Sequence, residues 1–90
     1  MDYIYEKDRI YLKNALSQVI AEVSFPELLD GICCIEHTFV DDSLRGQGIA
    51  PELVRRAVEE IERRHKKVIA TCTYAKKWLD KNGYVQDCLS

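Results

Sequence analysis

Two glycines, Gly46 and Gly48, lie immediately before the most regular helical pattern of the sequence. Backbone amides at a helix N-terminus have no intrahelical partner and carry a partial positive charge, so such a turn can hold an anion. Glycine lacks the side chain that would keep phosphate oxygens away from these amides. Arg45 adds a positive charge beside them. Residues 45–50 are therefore predicted to bind a phosphate group.

Two common phosphate-binding chemistries do not fit this turn. The P-loop of nucleotide hydrolases needs a Gly-Lys-Ser/Thr sequence, and none follows here. The dinucleotide-binding pattern G-x-G-x-x-G needs a third glycine where this chain has Pro51. The turn thus indicates anion binding of a different kind.

The charges are distributed unevenly along the chain. Residues 43–81 contain ten Lys or Arg against five Asp or Glu, whereas residues 1–42 contain three against nine. A polyphosphate would prefer the second part and a cationic substrate the first, although chance alone also produces such unevenness in solvated surface charge. The net charge of −2 gives no general attraction to nucleic acid or to anionic membranes, so neither is expected as a partner.

The thiols are the other reactive groups. We expect the four cysteines, Cys33, Cys34, Cys72 and Cys88, to be free, because a cytoplasmic setting keeps thiols reduced and adjacent residues of a strand point to opposite faces. A zinc site would need Cys33, Cys34 and His37 around one ion, and of these only Cys33 and His37 share a face of the strand. In an extended strand they stand about 13 Å apart, at roughly 3.3 Å per residue, so no metal site is predicted.

Four strands and two helices must position these residues. Hydrophobic periodicity predicts strands over 9–13, 18–25, 32–40 and 68–72, and helices over 49–64 and 74–81. The order is β-β-β-α-β-α, in which the first three strands form an antiparallel meander and a helical crossover joins a parallel pair. The predicted class is α+β (α/β), with a mixed, mostly antiparallel sheet and one parallel strand pair.

The length and the termini limit the organisation of the chain. Ninety residues suit a single domain over residues 1–90. No apolar stretch approaches the roughly 18 residues that cross a bilayer, and the first residues lack the basic and apolar regions of a secretion signal. We expect a cytoplasmic protein, either a monomer or a weak dimer formed through a sheet edge.

The segment matches the pattern R/Q-x-x-G-x-G/A at its three defining places, which are Arg45, Gly48 and Ala50. Through these residues it resembles the signature of the GCN5-related N-acetyltransferases. Residues 36–50 and the later Cys72-Thr73-Tyr74 resemble the small YjdJ-type branch of that superfamily. The resemblance covers roughly residues 9–82 and implies a reduced form of the family's fold in one acetyltransferase domain.

The resemblance also implies where acetyl-coenzyme A (acetyl-CoA) is bound as cosubstrate. In this superfamily the strand before the glycine turn ends in a bulge and diverges from the next parallel strand, and the pantetheine arm lies in the gap. Here the backbone of Phe39 and Val40 would hold pantetheine. The pyrophosphate would be held by Arg45, Gly46, Gln47, Gly48, Ile49 and Ala50.

The implied reaction moves an acetyl group to an amine, for example a protein or peptide lysine. Cys72 would be a nucleophile or a proton donor to the coenzyme thiolate, with a buried core position as the alternative. His37 would be the base or the partner of Cys72, or else a structural residue. Tyr74 would be the acid, or would only pack against the core. Ala70 stands where the branch often has proline, which leaves the orientation of Cys72 open.

Two other functions remain open from the sequence. A non-catalytic acyl-CoA-binding module or adaptor would keep the glycine turn without a defined acceptor. A cysteine redox sensor would need exposed thiols of low pKa, and the sequence offers no electropositive pocket around the cysteines beyond His37 near Cys72.

Overall fold

The computed structural model describes residues 2–84. Its strands are β1 (Ile4–Tyr5), β2 (Arg9–Lys13), β3 (Val19–Ser24), β4 (Glu27–Leu29), β5 (Ile32–Ile35), β6 (His37–Val40) and β7 (Lys67–Ala70). Its helices are a short 3-10 helix (Asp42–Leu44), α1 (Ile49–Arg63) and α2 (Thr73–Lys81). The predicted class is confirmed, since β5 and β7 are parallel and the other strand pairs of the described residues are antiparallel. The sequence did not indicate β1 and β4, which are too short for a periodic pattern.

The larger sheet contains the strands in the order β1-β2-β3-β6. Alternation along β2 and β3 places Ile10, Leu12, Ala21 and Val23 on one face, and all four are buried. Val19 lies at the end of β3, beyond the register shift at Lys13, and is 38% exposed. The buried face packs against α1.

The predicted strand over 32–40 is not continuous. It breaks at Glu36, and β5 pairs with β4 and β7 in a second sheet while β6 pairs with β3 in the first. The Glu36 amide donates to the Ser24 carbonyl at 3.0 Å although the register partner of Ser24 is His37, so two residues oppose one, as in a β-bulge. The predicted meander is therefore corrected: its third strand changes sheets halfway along.

Helix α1 joins the two sheets into one core. It packs on β2, β3 and β6 of the larger sheet and on β5 and β7 of the smaller one. Its buried stripe repeats with helical spacing and includes Leu53, Val54, Ala57, Val58 and Ile61. The helix begins directly after the glycine turn, so the core fixes the position of that turn.

The predicted strand over 68–72 ends earlier, at Ala70. The amides of Thr71 and Cys72 both donate to the Ile35 carbonyl, at 3.1 and 3.3 Å, and the ladder stops there because β6 has left this sheet. Cys72 is consequently the N-cap residue of α2 rather than a strand residue. Neither described helix is long and apolar enough to span a membrane.

Candidate active site

A cleft opens where β6 diverges from β7. β6 is the last strand of its sheet, so one of its edges has no partner strand among residues 2–84. The Asp41 amide donates to the Ile20 carbonyl of β3 at 2.8 Å. Antiparallel ladders alternate, so the backbone groups of Phe39 also point to β3, while those of Thr38 and Val40 point to the free edge. The cleft therefore has a row of backbone donors and acceptors along one wall.

The glycine turn forms the end of this cleft. Gly46 and Gly48 have φ of 81° and 70°, the left-handed region that residues with a Cβ adopt only with strain. Gly48 is the N-cap of α1 and has no side-chain cap, and its carbonyl accepts the first helical bond, from the Glu52 amide at 3.3 Å. Within the described part of the chain, the amides of Gly48, Ile49 and Ala50 have no hydrogen-bond partner. We call residues 45–50 the glycine cradle; its free amides can hold an anion.

The segment before the cradle is fixed at two points. The Asp41 carboxylate caps the 3-10 helix by accepting a hydrogen bond from the Ser43 amide at 3.0 Å, and the hydrogen bonds from Ser43 lower the pKa of Asp41. Leu44 is buried in the core, and its carbonyl accepts a bond from the Gln47 amide at 3.3 Å. Arg45 is exposed and pairs with Asp42 at 2.7 Å. The Arg45 charge is thus held at the surface beside the cradle.

The cleft has a volume of about 620 Å³. It is lined by Thr38 and Val40 of β6, by Pro51 of α1 and by Tyr74 of α2. Five of the six predicted pyrophosphate-binding residues line the cleft: Arg45, Gly46, Gly48, Ile49 and Ala50. Gln47 and Phe39 do not line this space, and the binding of pyrophosphate by residues 45–50 stays a prediction.

Cys72 lies at the border of the cleft. It is half-buried, and its Sγ is 3.8 Å from the Oγ1 of Thr38, which lines the cleft. Thr38 was not among the predicted site residues. Adjacent residues of a strand point to opposite faces, so only one of His37 and Thr38 can face the predicted helix. This alternation could have indicated Thr38.

His37 is on the other face of the sheet. It is exposed like Phe39, two residues on, while the alternating Thr38 and Val40 are half-buried. Its ring makes no hydrogen bond or ion pair with any of residues 2–84. The structure therefore brings Cys72 together with Thr38 and leaves His37 exposed on the opposite face of β6, outside the cleft.

Tyr74 is the predicted catalytic residue that lines the cleft itself. It lies in the first turn of α2 and is 40% exposed. Partial burial raises its pKa above the usual 10.0. The phenol therefore stays protonated at neutral pH and can donate a proton.

No group of three or more His, Cys, Asp or Glu among residues 2–84 is arranged to hold a metal ion. The cleft lining likewise contains no carboxylate or imidazole from this part of the chain. The chemistry that the described residues offer is anion binding, backbone hydrogen bonding and proton donation.

Comparisons with known proteins agree with this geometry. The family model of GCN5-related N-acetyltransferases matches residues 9–88. The fold is similar to the solution structure of a candidate GCN5-like N-acetyltransferase from Staphylococcus aureus, with 27% identity, a TM-score of 0.77, and coverage of 94% of this chain and 88% of that one. Comparison with curated proteins found no match.

Two solved structures of longer proteins are also similar. A candidate acetyl transferase from Pyrococcus furiosus has 25% identity and a TM-score of 0.64, with coverage of 91% of this chain and 61% of that one. A predicted acetyltransferase from Clostridium acetobutylicum, solved with acetyl-CoA, has 19% identity and a TM-score of 0.61, with coverage of 91% and 60%. The chain thus spans less than two thirds of these two relatives, and the second supports the fold alone.

Proposed function

The chain belongs to the GCN5-related N-acetyltransferase family, and on that premise we propose that it transfers an acetyl group from acetyl-CoA to an amine. The observation that carries this proposal is the free edge of β6 beside the glycine cradle, in one cleft. The narrower assignment to the YjdJ-type branch stays a prediction.

The cradle suits the diphosphate of the cosubstrate. The free amides of Gly48, Ile49 and Ala50 point away from α1, and the positive end of the helix lies behind them. A Cβ added at Gly46 or Gly48 would meet no heavy atom within 4 Å, so space is open above the turn. A diphosphate can therefore approach the backbone closely.

The free edge of β6 suits the pantetheine arm. That arm contains two amide groups, and the exposed backbone groups of Thr38 and Val40 can pair with them as a neighbouring strand would. The predicted contact at Val40 is supported by this edge. The predicted contact through the Phe39 backbone is less well supported, because those groups face Glu22 of β3.

The reaction forms a bond between the amine nitrogen and the acetyl carbon and breaks the bond between that carbon and sulfur. The amine loses a proton and the departing thiolate gains one. Tyr74 is placed to donate that second proton, since its protonated phenol lines the cleft. A backbone amide on the free edge of β6 can stabilise the oxyanion.

Cys72 and His37 have narrower roles in this proposal. The thiol of Cys72 lies against Thr38 and can act as the nucleophile or as an alternative proton donor. His37 was predicted as the base, but it lies on the face of β6 away from Cys72 and Thr38 and does not line the cleft, so in this proposal the amine proton passes to bulk water. A lysine of a protein or peptide is the favoured acceptor, because the neighbouring Glu36 is exposed and without an ion pair among residues 2–84.

The second candidate function is a non-catalytic acyl-CoA-binding module. It is favoured by the cleft lining, in which the described residues include no base. Such a module would bind CoA through the same cradle and would acetylate no amine.

Intact-mass spectrometry with acetyl-CoA and a lysine peptide separates these functions. The enzyme gives an acetylated peptide. The rate of peptide acetylation falls in Tyr74→Phe if Tyr74 is the proton donor, and in Cys72→Ala if Cys72 takes part in the reaction. An acetyl-cysteine intermediate requires two results. The wild type carries an acetyl adduct that Cys72→Ala lacks, and this acetyl group is then transferred to the peptide. CoA binding without any transfer supports the binding module, and absence of CoA binding contradicts both.

A further inference from the structure

A second concavity adjoins the cleft, and the proposed reaction does not use it. It has a volume of about 460 Å³ and is lined by Pro51, Tyr74, Lys77, Trp78, Lys81 and Asn82. We call it the C-terminal groove. Pro51 and Tyr74 also line the cleft, so one extended ligand can occupy both spaces.

The positive charge of residues 43–81 is available to a ligand mainly on α2. The arginines of α1 form ion pairs within their own helix: Arg55, Arg56, Arg63 and Arg64 pair with Glu52, Glu59 and Glu60. Lys77 and Lys81 are exposed and have no ion pair with any of residues 2–84. Their charges therefore remain uncompensated at the groove.

The spacing of these lysines places both on one helix face. Residues four apart on a helix are neighbours, so the two ammonium groups can reach the same anion. Between them Trp78 is half-buried and stacks on Tyr84, with ring centroids 5.9 Å apart. Lys76 and Asp80 lie on the same helix but do not line the groove. The groove thus combines a fixed aromatic residue with two free cations.

We propose that the C-terminal groove binds the 3′-phosphate of coenzyme A through Lys77 and Lys81, an inference that rests on the proposed function. Coenzyme A has a diphosphate in its middle, pantetheine on one side and 3′-phosphoadenosine on the other. With the diphosphate on the cradle and pantetheine along β6, the nucleoside must leave on the side away from β6. The groove adjoins the cleft at Pro51 and Tyr74, and neither β6 nor the cradle glycines line it, so it is open to a nucleoside that leaves the cradle in this direction. This phosphate is a dianion near neutral pH, which suits two lysines.

The test is calorimetric binding of coenzyme A and of 3′-dephospho-coenzyme A, which lacks only this phosphate. The wild type should bind coenzyme A about tenfold more tightly, the order expected of two charge-assisted contacts at an exposed site. In Lys77→Gln/Lys81→Gln the two ligands should bind equally, at the wild-type affinity for the dephosphorylated form. Lys76→Gln, on the same helix but outside the groove, should behave as the wild type. Added salt should reduce the difference between the affinities of the wild type for the two ligands, because it screens the charges of exposed lysines.

Equal binding of the two ligands by the wild type overturns this inference and leaves the proposed function standing. A loss in Lys76→Gln as large as in the double variant also overturns it, since general attraction to α2 would then explain the preference. If the wild type binds neither ligand, the proposed function fails, and the inference fails with it.

Discussion

At the scale of single residues, Gly48 is subject to two separate demands. Its φ of 70° is strained for any residue with a Cβ, and its amide is one of the free donors of the cradle. Neighbouring atoms do not restrict a side chain there, because a Cβ would meet nothing within 4 Å. The structural cost of a substitution is therefore backbone strain, and any further loss in ligand binding reports on the cradle.

Gly48→Ala should lower the free energy of unfolding by about 1–2 kcal/mol, the cost of the left-handed conformation for an L-residue. It should also weaken coenzyme A binding by about tenfold or more, because the strained turn no longer holds its amides in place. Urea unfolding and calorimetry measure the two effects.

Gly31→Ala is the matched control. Gly31 has φ of 81° and equally open surroundings, but it lies in the turn between β4 and β5, outside the cleft. It should lose similar stability and bind coenzyme A as the wild type does. Equal losses of binding in both variants would contradict a specific role for the cradle.

Tyr74→Phe should leave coenzyme A affinity within about twofold and lower the rate of acetyl transfer by about 10²-fold or more, the usual contribution of a general acid. Since burial raises the pKa of Tyr74 above 10.0, the protonated acid persists across neutral pH, and activity that depends on it falls only as pH rises through this raised pKa. The pH profile of kcat measures this. If Tyr74→Phe shows the same fall of kcat at alkaline pH as the wild type, another group causes that fall.

At the scale of elements, the 3-10 helix determines how the chain enters the cradle. Asp41 caps it with a carboxylate whose pKa is lowered by the hydrogen bonds from Ser43. A lowered carboxyl pKa stabilises the folded state at pH above the unfolded value, and this contribution disappears as pH falls through the folded pKa. The cap should therefore be intact at neutral pH and lost in acid.

Asp41→Ala should lower the melting temperature at pH 7 and weaken coenzyme A binding, because the cradle loses its entry turn. The difference in melting temperature from the wild type should begin to shrink as pH falls below about 4, the pKa of an unfolded aspartate, and should disappear as pH falls through the lowered pKa of the folded state. Thermal unfolding at several pH values measures this. A difference that is constant from pH 7 to pH 3 would exclude the carboxylate as its source.

Leu44→Ala should destabilise the protein by about 2–3 kcal/mol, since Leu44 is buried in the core and its removal leaves a cavity. Ser43→Ala, beside it in the 3-10 helix and exposed, is the comparison variant. Denaturant unfolding gives both values. A loss below about 0.5 kcal/mol in Leu44→Ala would mean that the core does not hold this turn.

The sequence predicted those elements that depend on local periodicity. The stripe of α1 and the glycine turn before it are encoded within a few residues of each other, so both are where the pattern indicates. The break at Glu36 depends on Ser24, which lies in another strand, and no local pattern reports such a pairing. The misplacement of Cys72 in a strand followed from that break. The C-terminal groove was missed because it needs Pro51 of one helix next to Lys77 of another.

At the scale of the whole molecule, the cleft results from two sheets that share one helix. β5 and β7 stay together in one sheet while β6 continues in the other, and α1 packs on both. A ligand that contacts both the β6 edge and the start of α1 therefore links the two sheets. The organisation of residues 1–90 as a single domain is a prediction consistent with this shared core.

Coenzyme A should raise the melting temperature strongly, because it binds only the folded state. At a ligand concentration 100 times its Kd the stabilisation is about 2.7 kcal/mol, which for a domain of this size corresponds to about 10–20 °C. A thermal scan with and without ligand measures it, and Gly48→Ala should show a smaller rise at the same concentration. A rise of the same size with inorganic phosphate alone would contradict recognition of the whole cosubstrate.

The most direct test of the central claim is a two-dimensional amide NMR titration of the labelled protein with acetyl-CoA. The largest shift changes are expected at the cradle amides of Gly46, Gly48, Ile49 and Ala50, with further changes at Thr38 and Val40 on the free edge of β6. Gly31, on the turn between β4 and β5, should stay unchanged. Shifts that cluster around Gly31 and leave the cradle and the β6 edge unaffected would contradict the placement of acetyl-CoA in this cleft.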